Sequence, residues 1–148
     1  MKILVINGPN LNLLGTREPD IYGKQSYAVL VRLLRKAAAA ENTHIKVVQS
    51  NHEGTIVDMI QKAVRKYDGI VINPAAYTHT SIAIYDALKA VGLPAVEVHL
   101  SDIESREEFR KHSYISPACL QTIAGKGFDG YQEAVGMLVR HIQANSAQ

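Results

Sequence analysis

The sequence predicts an α/β protein with a doubly wound, three-layered sheet of five parallel strands in the order 2-1-3-4-5. Short apolar runs rich in β-branched residues alternate along the chain with segments of helical period, as in folds of this class. The runs lack polar alternation, which is typical of strands buried on both faces. The chain has 148 residues, a length that suits one domain spanning residues 1–148.

Five apolar runs mark the predicted strands, and the last of them is the weakest signal. They are Ile3–Ile6, Ile45–Val48, Gly69–Ile72, Pro94–Val98 and Ala118–Ala124. Parallel neighbours need crossover connections, which are right-handed. Five such strands favour the order 2-1-3-4-5.

Four segments have helical period, with apolar residues at spacings of three, four and seven. Their apolar stripes begin at Leu30, Ile56, Ile84 and Tyr131. The residues expected to cap their N-termini are Ser26, Asn51, Thr80 and Asp129. Gly92 and Pro94 end the third helix, and the polar residues 143–148 are expected to fray.

The composition excludes several classes of protein. Sixteen Lys and Arg against fourteen Asp and Glu leave a net charge of +2, too small for a nucleic-acid-binding surface. No apolar run approaches the roughly 20 residues of a membrane span, and the N-terminus lacks the pattern of a signal peptide. We therefore expect a cytoplasmic protein that binds neither nucleic acid nor membrane. The single cysteine, Cys119, permits no intramolecular disulfide.

The usual signatures of cofactor and metal sites are missing from the sequence. The loop after the first strand has neither the G-x-G-x-x-G nor the G-x-x-x-x-G-K-[ST] phosphate-binding pattern. The six histidines lack metal-ligand spacing, and no G-x-S-x-G nucleophile motif is present. We therefore expect acid–base chemistry with no cofactor and no metal.

Three polar loops directly follow predicted strands. They are Asn7–Asn10, Asn73–Thr80 and His99–Asp102. Ligands of open parallel sheets bind beyond the carboxyl ends of the strands, where the strand order reverses. We expect these loops to converge on one cleft.

A further polar segment, residues 15–23, contains Arg17 and Tyr22 and is punctuated by two glycines and a proline. It is predicted to be a loop and a candidate lid over the cleft. Because a nearby guanidinium favours the phenolate form of tyrosine, Tyr22 is a candidate base for a proton on carbon. The alternative is a surface loop whose tyrosine only covers the core.

Glu97 and His99 fall on the same face of the fourth strand, since side chains alternate along a strand. A carboxylate beside an imidazole favours the imidazolium, which is a proton donor. The alternative is structural, with Glu97 in an ion pair or helix cap and His99 a satisfied polar residue at a strand end.

Arg106 and Arg110 are four residues apart and share a face if their segment is helical. They then form a candidate site for a carboxylate or for hydroxyl groups, and the alternative is a solvated charged turn. Asp86 lies in the middle of the third predicted helix, facing either solvent or a neighbouring subunit.

Five motifs in order, most of them at a predicted strand end, together resemble type II 3-dehydroquinate dehydratase over Ile3 to about Ile142. The motifs are Ile6–Asn12 with residues 14–23, Gln49–Gly54, Asn73–Ser81, Glu97–Ser101 and Arg106–Ser113. Ala75 and Ala76 depart from the pattern, because many members of the family carry glycine there.

The resemblance implies a flavodoxin-like subunit and a homododecamer built as a tetramer of trimers. It implies the anti elimination of water from 3-dehydroquinate to give 3-dehydroshikimate through an enolate. The implied context is the shikimate pathway of aromatic amino acid biosynthesis, with no cofactor.

The resemblance also implies a role for each matched residue. Tyr22, as the tyrosinate, would be the base, and Arg17 would favour that form. His99 would be the acid that protonates the departing hydroxyl, oriented by Glu97. Asn10 would hold a water at the enolate. Asn73 and the backbone N–H groups of Leu100 and Ser101 would bind the substrate carboxylate, and His79 and Arg110 would bind ring hydroxyls. Asp86 would reach the site of an adjacent subunit, and Arg106 would lie at the edge of the site.

Other functions remain open at this point. One is a non-catalytic binding or signalling domain, although Asn7 and Asn73 stand where a receiver-type domain needs acidic residues. A second is a lyase of the same fold acting on another cyclic hydroxy-keto acid, and a third is an inactive structural oligomer. The sequence also does not distinguish biosynthesis from quinate breakdown.

Overall fold

The computed structural model describes all 148 residues and contains one central sheet between layers of helices. The strands are β1 (Lys2–Asn7), β2 (His44–Gln49), β3 (Gly69–Asn73), β4 (Ala95–His99) and β5 (Gln121–Ala124). The helices are α1 (Pro19–Tyr22), α2 (Tyr27–Ala40), α3 (Glu53–Lys62), α4 (Ile82–Val91) and α5 (Gly127–Ser146). None of them combines the length and the apolar character needed to cross a membrane.

The sheet is parallel throughout and has the order β2-β1-β3-β4-β5, which confirms the predicted fold class. Helices α2 and α5 pack together on one face, and α3 and α4 pack together on the other. The two central strands are in register, with Asn7 of β1 opposite Asn73 of β3. Because the strand order reverses at this pair, a cleft is expected beyond their carboxyl ends.

Buried side chains alternate between two apolar clusters, one on each face of the sheet. In β1, Ile3 and Val5 belong to the cluster under α2 and α5, whereas Leu4 and Ile6 belong to the cluster under α3 and α4. Strands β3 and β4 are buried along their whole length. This double burial explains why their sequences are continuous apolar runs.

Two of the four predicted helix caps are displaced by one residue. The cap at Ser26 is confirmed, because its hydroxyl accepts a backbone N–H of the first turn of α2 at 3.3 Å. The predictions at Asn51 and Thr80 are wrong, and the caps are the next residues, His52 and Ser81. The side chain of Asn51 is occupied elsewhere, since its Oδ1 accepts the backbone N–H of Asn10 at 3.0 Å.

Three further boundaries differ from the predictions. Helix α5 begins at Gly127 rather than after Asp129, with Phe128 packed in the core, and it continues to Ser146 through residues expected to fray. Strand β5 begins at Gln121, because Ser116–Ala118 forms a 3₁₀ turn around a proline. Residues 15–23 include the single helical turn α1, whose first residue is a proline, a favourable first helical position.

Candidate active site

The polar loops converge on one cleft beyond the carboxyl ends of β1, β3 and β4, as predicted. Residues 17 and 22 and the segment 103–110 complete its outer side. Most of the predicted site residues line it, namely Asn10, Arg17, Tyr22, Asn73, His79, His99, Leu100, Ser101, Arg106 and Arg110. Pro9, Leu11, Ala75, Ala76 and Ile103 also line the cleft without having been predicted as site residues.

Glu97 and His99 form a buried pair at the end of β4. His99 Nε2 lies 2.7 Å from Glu97 Oε1, and the Glu97 side chain has no solvent exposure. Glu97 also accepts hydrogen bonds from the hydroxyls of Thr78, Ser113 and Thr122. Burial alone would raise the pKa of Glu97, but the hydrogen bond and charge of His99 and the hydroxyl donors outweigh it and lower the pKa. The carboxylate is therefore held ionised behind the imidazole.

The protonation sites of the two cleft histidines follow from their fixed partners. An ionised Glu97 only accepts, so His99 Nε2 carries a proton and Nδ1 is left for a ligand. The Nδ1 atom of His79 lies 2.8 Å from the backbone oxygen of His112, so that nitrogen donates and Nε2 is free. Burial lowers the pKa of His79, with the charges of His99 and Arg110 acting in the same direction. Neutral His79 can therefore accept a hydrogen bond at Nε2.

Tyr22, at the end of α1, is half-buried between two arginines on the outer side of the cleft. The Arg17 guanidinium carbon lies 4.8 Å from the centre of the Tyr22 ring, and the Arg106 carbon lies 5.5 Å from it. Only Arg106 reaches the hydroxyl, with both terminal nitrogens 3.4 Å from the oxygen. The structure thus adds a second guanidinium beside Tyr22, and that one is nearer to the hydroxyl oxygen.

The three arginines of the cleft, Arg17, Arg106 and Arg110, form ion pairs with exposed carboxylates. Glu107 lies 3.5 Å from Arg106 Nε and 3.0 Å from Arg110 Nε, and Glu18 lies 3.5 Å from Arg17. The Nε–H of Arg110 is buried and poorly aligned with Glu107, so that contact is an ion pair without a hydrogen bond. Between Arg106 and Arg110 the helical part of the backbone is limited to the 3₁₀ turn Glu108–Arg110. The two arginines are therefore linked through Glu107 rather than by a shared helix face.

Backbone and amide donors line the inner wall of the cleft. Asn73 is almost fully buried, and its side chain bonds to Tyr131 and to the backbone of Ala75. The N–H groups of Leu100 and Ser101 donate to no acceptor within the chain. Because these N–H groups lack an acceptor within the chain, they can donate to a ligand oxygen, and this wall is suited to an anion.

Two predicted residues do not line the cleft. Glu97 lies behind His99 and contributes through it. Asp86 is exposed in the middle of α4, and the structure does not bring it to the cleft of its own chain. The hydroxyls of Thr78, Ser113 and Thr122 escaped the sequence-based prediction, because they come from three separate segments and share no spacing. The only available signal was that Thr78 and Ser113 lie within polar motifs already singled out.

The cleft is lined by the imidazole of His99, by Tyr22 and by N–H groups that have no acceptor within the chain. No cluster of three or more His, Cys, Asp or Glu side chains is arranged to hold a metal ion. A tyrosine, an imidazole and fixed N–H donors are the kinds of group that proton transfer at a carbon next to a carbonyl requires.

Comparisons with known proteins agree with this architecture. The model of the family described as dehydroquinase class II matches residues 1–139. The chain is 57% identical to the 3-dehydroquinate dehydratase of Caldicellulosiruptor saccharolyticus, covering 88% of this chain and 90% of that one. It is 52% identical to the catabolic 3-dehydroquinase of Verticillium alfalfae, covering 96% of this chain and 95% of that one. The crystal structure of the type II dehydroquinase of Butyrivibrio crossotus superposes with a TM-score of 0.92 at 51% identity, covering 93% of this chain and 97% of that one.

Proposed function

The chain belongs to the class II dehydroquinase family, and on that premise we propose that it dehydrates 3-dehydroquinate to 3-dehydroshikimate with Tyr22 as base and His99 as acid. The observation that carries the proposal is the pairing across one cleft of a tyrosine under two guanidiniums with an imidazole backed by an ionised carboxylate. Acid–base elimination requires two groups in opposite protonation states, and this pairing supports that assignment.

The first step is removal of a proton from C2, which is acidic because it lies next to the ketone. Tyr22 acts as the tyrosinate, and the charges of Arg17 and Arg106 favour that form. The electron pair moves onto the ketone oxygen as an enolate, which a water held by Asn10 stabilises. Asn10 is exposed at the rim of the cleft, its backbone fixed by Asn51.

The second step is loss of the C1 hydroxyl. The enolate electrons form the C1–C2 double bond, and His99 gives its Nδ1 proton to the departing oxygen, which leaves as water. Glu97 stabilises the imidazolium that exists before this transfer. The product is a conjugated enone. The C2 proton on Tyr22 then returns to solvent, and His99 takes up a proton from solvent, so both groups regain their starting states.

The remaining residues position the substrate. The N–H groups of Leu100 and Ser101, together with the Asn73 amide, bind the carboxylate, since they are unpaired donors on the inner wall. Neutral His79 accepts from a ring hydroxyl, and Arg110 donates to another.

A direct assay tests the proposal. Purified protein is added to 3-dehydroquinate without metal or cofactor, and the ultraviolet absorbance of the conjugated enone is followed. We expect the absorbance to rise with wild-type protein. In Tyr22→Phe the rate of that rise should fall by a factor of about 10²–10⁴ or more, with the circular dichroism spectrum unchanged. No rise with folded wild-type protein contradicts the activity, and near-normal turnover by Tyr22→Phe contradicts the assigned base.

The assembly is also a proposal. The family resemblance implies a homododecamer in which Asp86 reaches an adjacent site, and two features of α4 support such a contact. Asp86 is exposed, and Ile82, one turn earlier on the same face, is 56% exposed. Sedimentation equilibrium should give twelve times the 16.2 kDa of the chain, and a monomeric mass contradicts this proposal.

The metabolic role that we propose is aromatic biosynthesis, and quinate breakdown is the second candidate because the Verticillium alfalfae relative is named a catabolic enzyme. Deleting the gene distinguishes the two roles. The biosynthetic role predicts a requirement for aromatic amino acids, whereas the catabolic role predicts only loss of growth on quinate.

A further inference from the structure

Tyr131 is a fully buried tyrosine of α5 whose hydroxyl lies between the ends of the two central strands. Its oxygen is 2.6 Å from Oδ1 of Asn7 and 2.8 Å from Nδ2 of Asn73. These asparagines are the last residues of β1 and β3 and lie opposite each other. One helix side chain therefore joins both strand ends at the point where the cleft opens.

The direction of every hydrogen bond in this group follows from one backbone donor. The N–H of Ala75 can only donate, so the Asn73 atom 3.1 Å away is the carbonyl oxygen Oδ1. The other end of the Asn73 amide, Nδ2, therefore faces Tyr131 and donates to its oxygen. The single hydroxyl proton of Tyr131 is then directed to Oδ1 of Asn7, which leaves Nδ2 of Asn7 facing the Tyr27 hydroxyl at 3.4 Å.

Asn73 keeps one hydrogen-bonding group for a ligand. Its Nδ2 has two N–H bonds and Tyr131 receives only one of them, while Oδ1 is engaged by Ala75. Asn73 also lines the cleft, beside the unpaired N–H groups of Leu100 and Ser101. The second N–H of Asn73 thus lies on the same wall of the cleft as two other N–H donors. Such a group of donors favours an anionic oxygen.

We propose that Tyr131 is a positioning residue for carboxylate recognition, because it holds the Asn73 amide with a donor facing the substrate. The identity of the carboxylate as that of the substrate rests on the proposed function, whereas the hydrogen-bond arrangement does not. Burial raises the pKa of Tyr131 and outweighs the hydrogen bond from Asn73. The hydroxyl therefore stays protonated, and the arrangement is independent of pH over the working range.

The test compares binding of shikimate, a non-reacting cyclic carboxylate, with binding of its uncharged methyl ester by titration calorimetry. We expect wild-type protein to prefer the acid and Tyr131→Phe to lose about tenfold of that preference, or about 1.4 kcal/mol. With 3-dehydroquinate, KM should rise by a similar factor, while kcat changes less than about threefold and its pH profile stays in place. Tyr27→Phe is the matched control, because it removes a hydroxyl that contacts Asn7 and not Asn73. It should keep the full preference.

A double-mutant comparison separates positioning from general loosening. In an Asn73→Ala background, Tyr131→Phe should cause no further loss of preference, because its effect passes through Asn73. If Tyr131→Phe does not fold, Asn7→Leu tests the same arrangement, since the hydroxyl proton then loses its acceptor and can turn against the Asn73 donor. That variant should also lose the preference.

The inference is overturned if the folded variant keeps the wild-type preference, if its effect adds to that of Asn73→Ala, or if wild-type protein binds acid and ester equally. These results differ from failure of the proposed function, which is absence of turnover by the wild type. Acid preference and its loss in Tyr131→Phe are measurable in a protein without turnover.

Discussion

The two walls of the cleft are held in place by different kinds of interaction. Behind the inner wall, the side chain of Glu97 has no solvent exposure and accepts hydrogen bonds from His99, Thr78, Ser113 and Thr122. These donors come from β4, the turn after β3, the loop before β5 and β5 itself. His99, the proposed acid, is therefore fixed by a network that joins several segments.

On the outer wall, Tyr22 belongs to a single helical turn and is flanked by Arg17 and Arg106. Those arginines pair with Glu18 and Glu107, whose side chains are both 52% exposed. Exposed ion pairs contribute little and exchange readily with water, whereas each broken bond of a buried network leaves a costly unpaired group. The difference indicates that His99, the proposed acid, is held more firmly in place than Tyr22, the proposed base.

Two carboxylates give the largest test of this comparison. Glu97→Gln places an amide donor among hydroxyl and imidazole donors, so we expect kcat to fall at least about 100-fold and stability to fall by about 3–5 kcal/mol. Urea unfolding and the enone assay measure these changes. The matched variant Glu107→Gln should leave the urea midpoint almost unchanged. Equal losses of stability in the two variants would refute the contrast between the walls.

The second test concerns the guanidiniums beside Tyr22. Arg106 reaches the hydroxyl and Arg17 only the ring, so removing either positive charge should disfavour the phenolate, with Arg106→Ala having the larger effect. We expect the acidic limb of the kcat/KM profile to move to higher pH in Arg106→Ala. Lys24→Ala, a change in the exposed segment after α1, is the control and should leave the limb in place. An unmoved limb in both arginine variants would remove them from the activation of the base.

The contrast also shows what a sequence can and cannot specify. Strand alternation was sufficient to pair Glu97 with His99, and the loops after parallel strands were sufficient to locate the cleft. The hydrogen bond between Asn73 and Tyr131 was not predictable, because it joins residues 58 positions apart and depends on the rotation of α5. The sequence pattern gave that tyrosine only as part of an apolar stripe.

The outer wall was predicted less well for a related reason. Arg17 was expected to act on Tyr22 because it is near in sequence, yet Arg106, 84 positions away, makes the contact with the hydroxyl. Proximity along the chain is a poor guide where short turns set the direction of long side chains. Helix caps failed similarly at Asn51, whose side chain bonds to a neighbouring loop.

A smaller effect on stability is expected when the pH is lowered. The folded-state pKa of Glu97 is below its ordinary value of 4.5, so its ionisation stabilises the fold above that pH. This stabilisation is lost as the pH falls through the folded-state pKa. The protonated side chain then resembles glutamine, so the stability gap between wild type and Glu97→Gln should narrow as the pH falls below 4.5. Urea unfolding from pH 7 to pH 3 measures the gap, and a constant gap would contradict the assigned ionisation.

The smallest effect on stability that we predict concerns Ala75, in the turn after β3, whose backbone is strained. Ala75, whose N–H fixes the Asn73 amide, has a φ of +52°, in the left-handed region that favours glycine. Ala75→Gly should relieve roughly 1 kcal/mol of strain, partly offset by roughly 0.5–1 kcal/mol of added unfolded-state freedom. The neighbouring Ala76 is not in this region, so Ala76→Gly adds freedom without relief. Thermal unfolding should place Ala75→Gly at or slightly above wild type and Ala76→Gly below it. Equal destabilisation by both would show that the Asn73 contact, and not backbone strain, governs this turn.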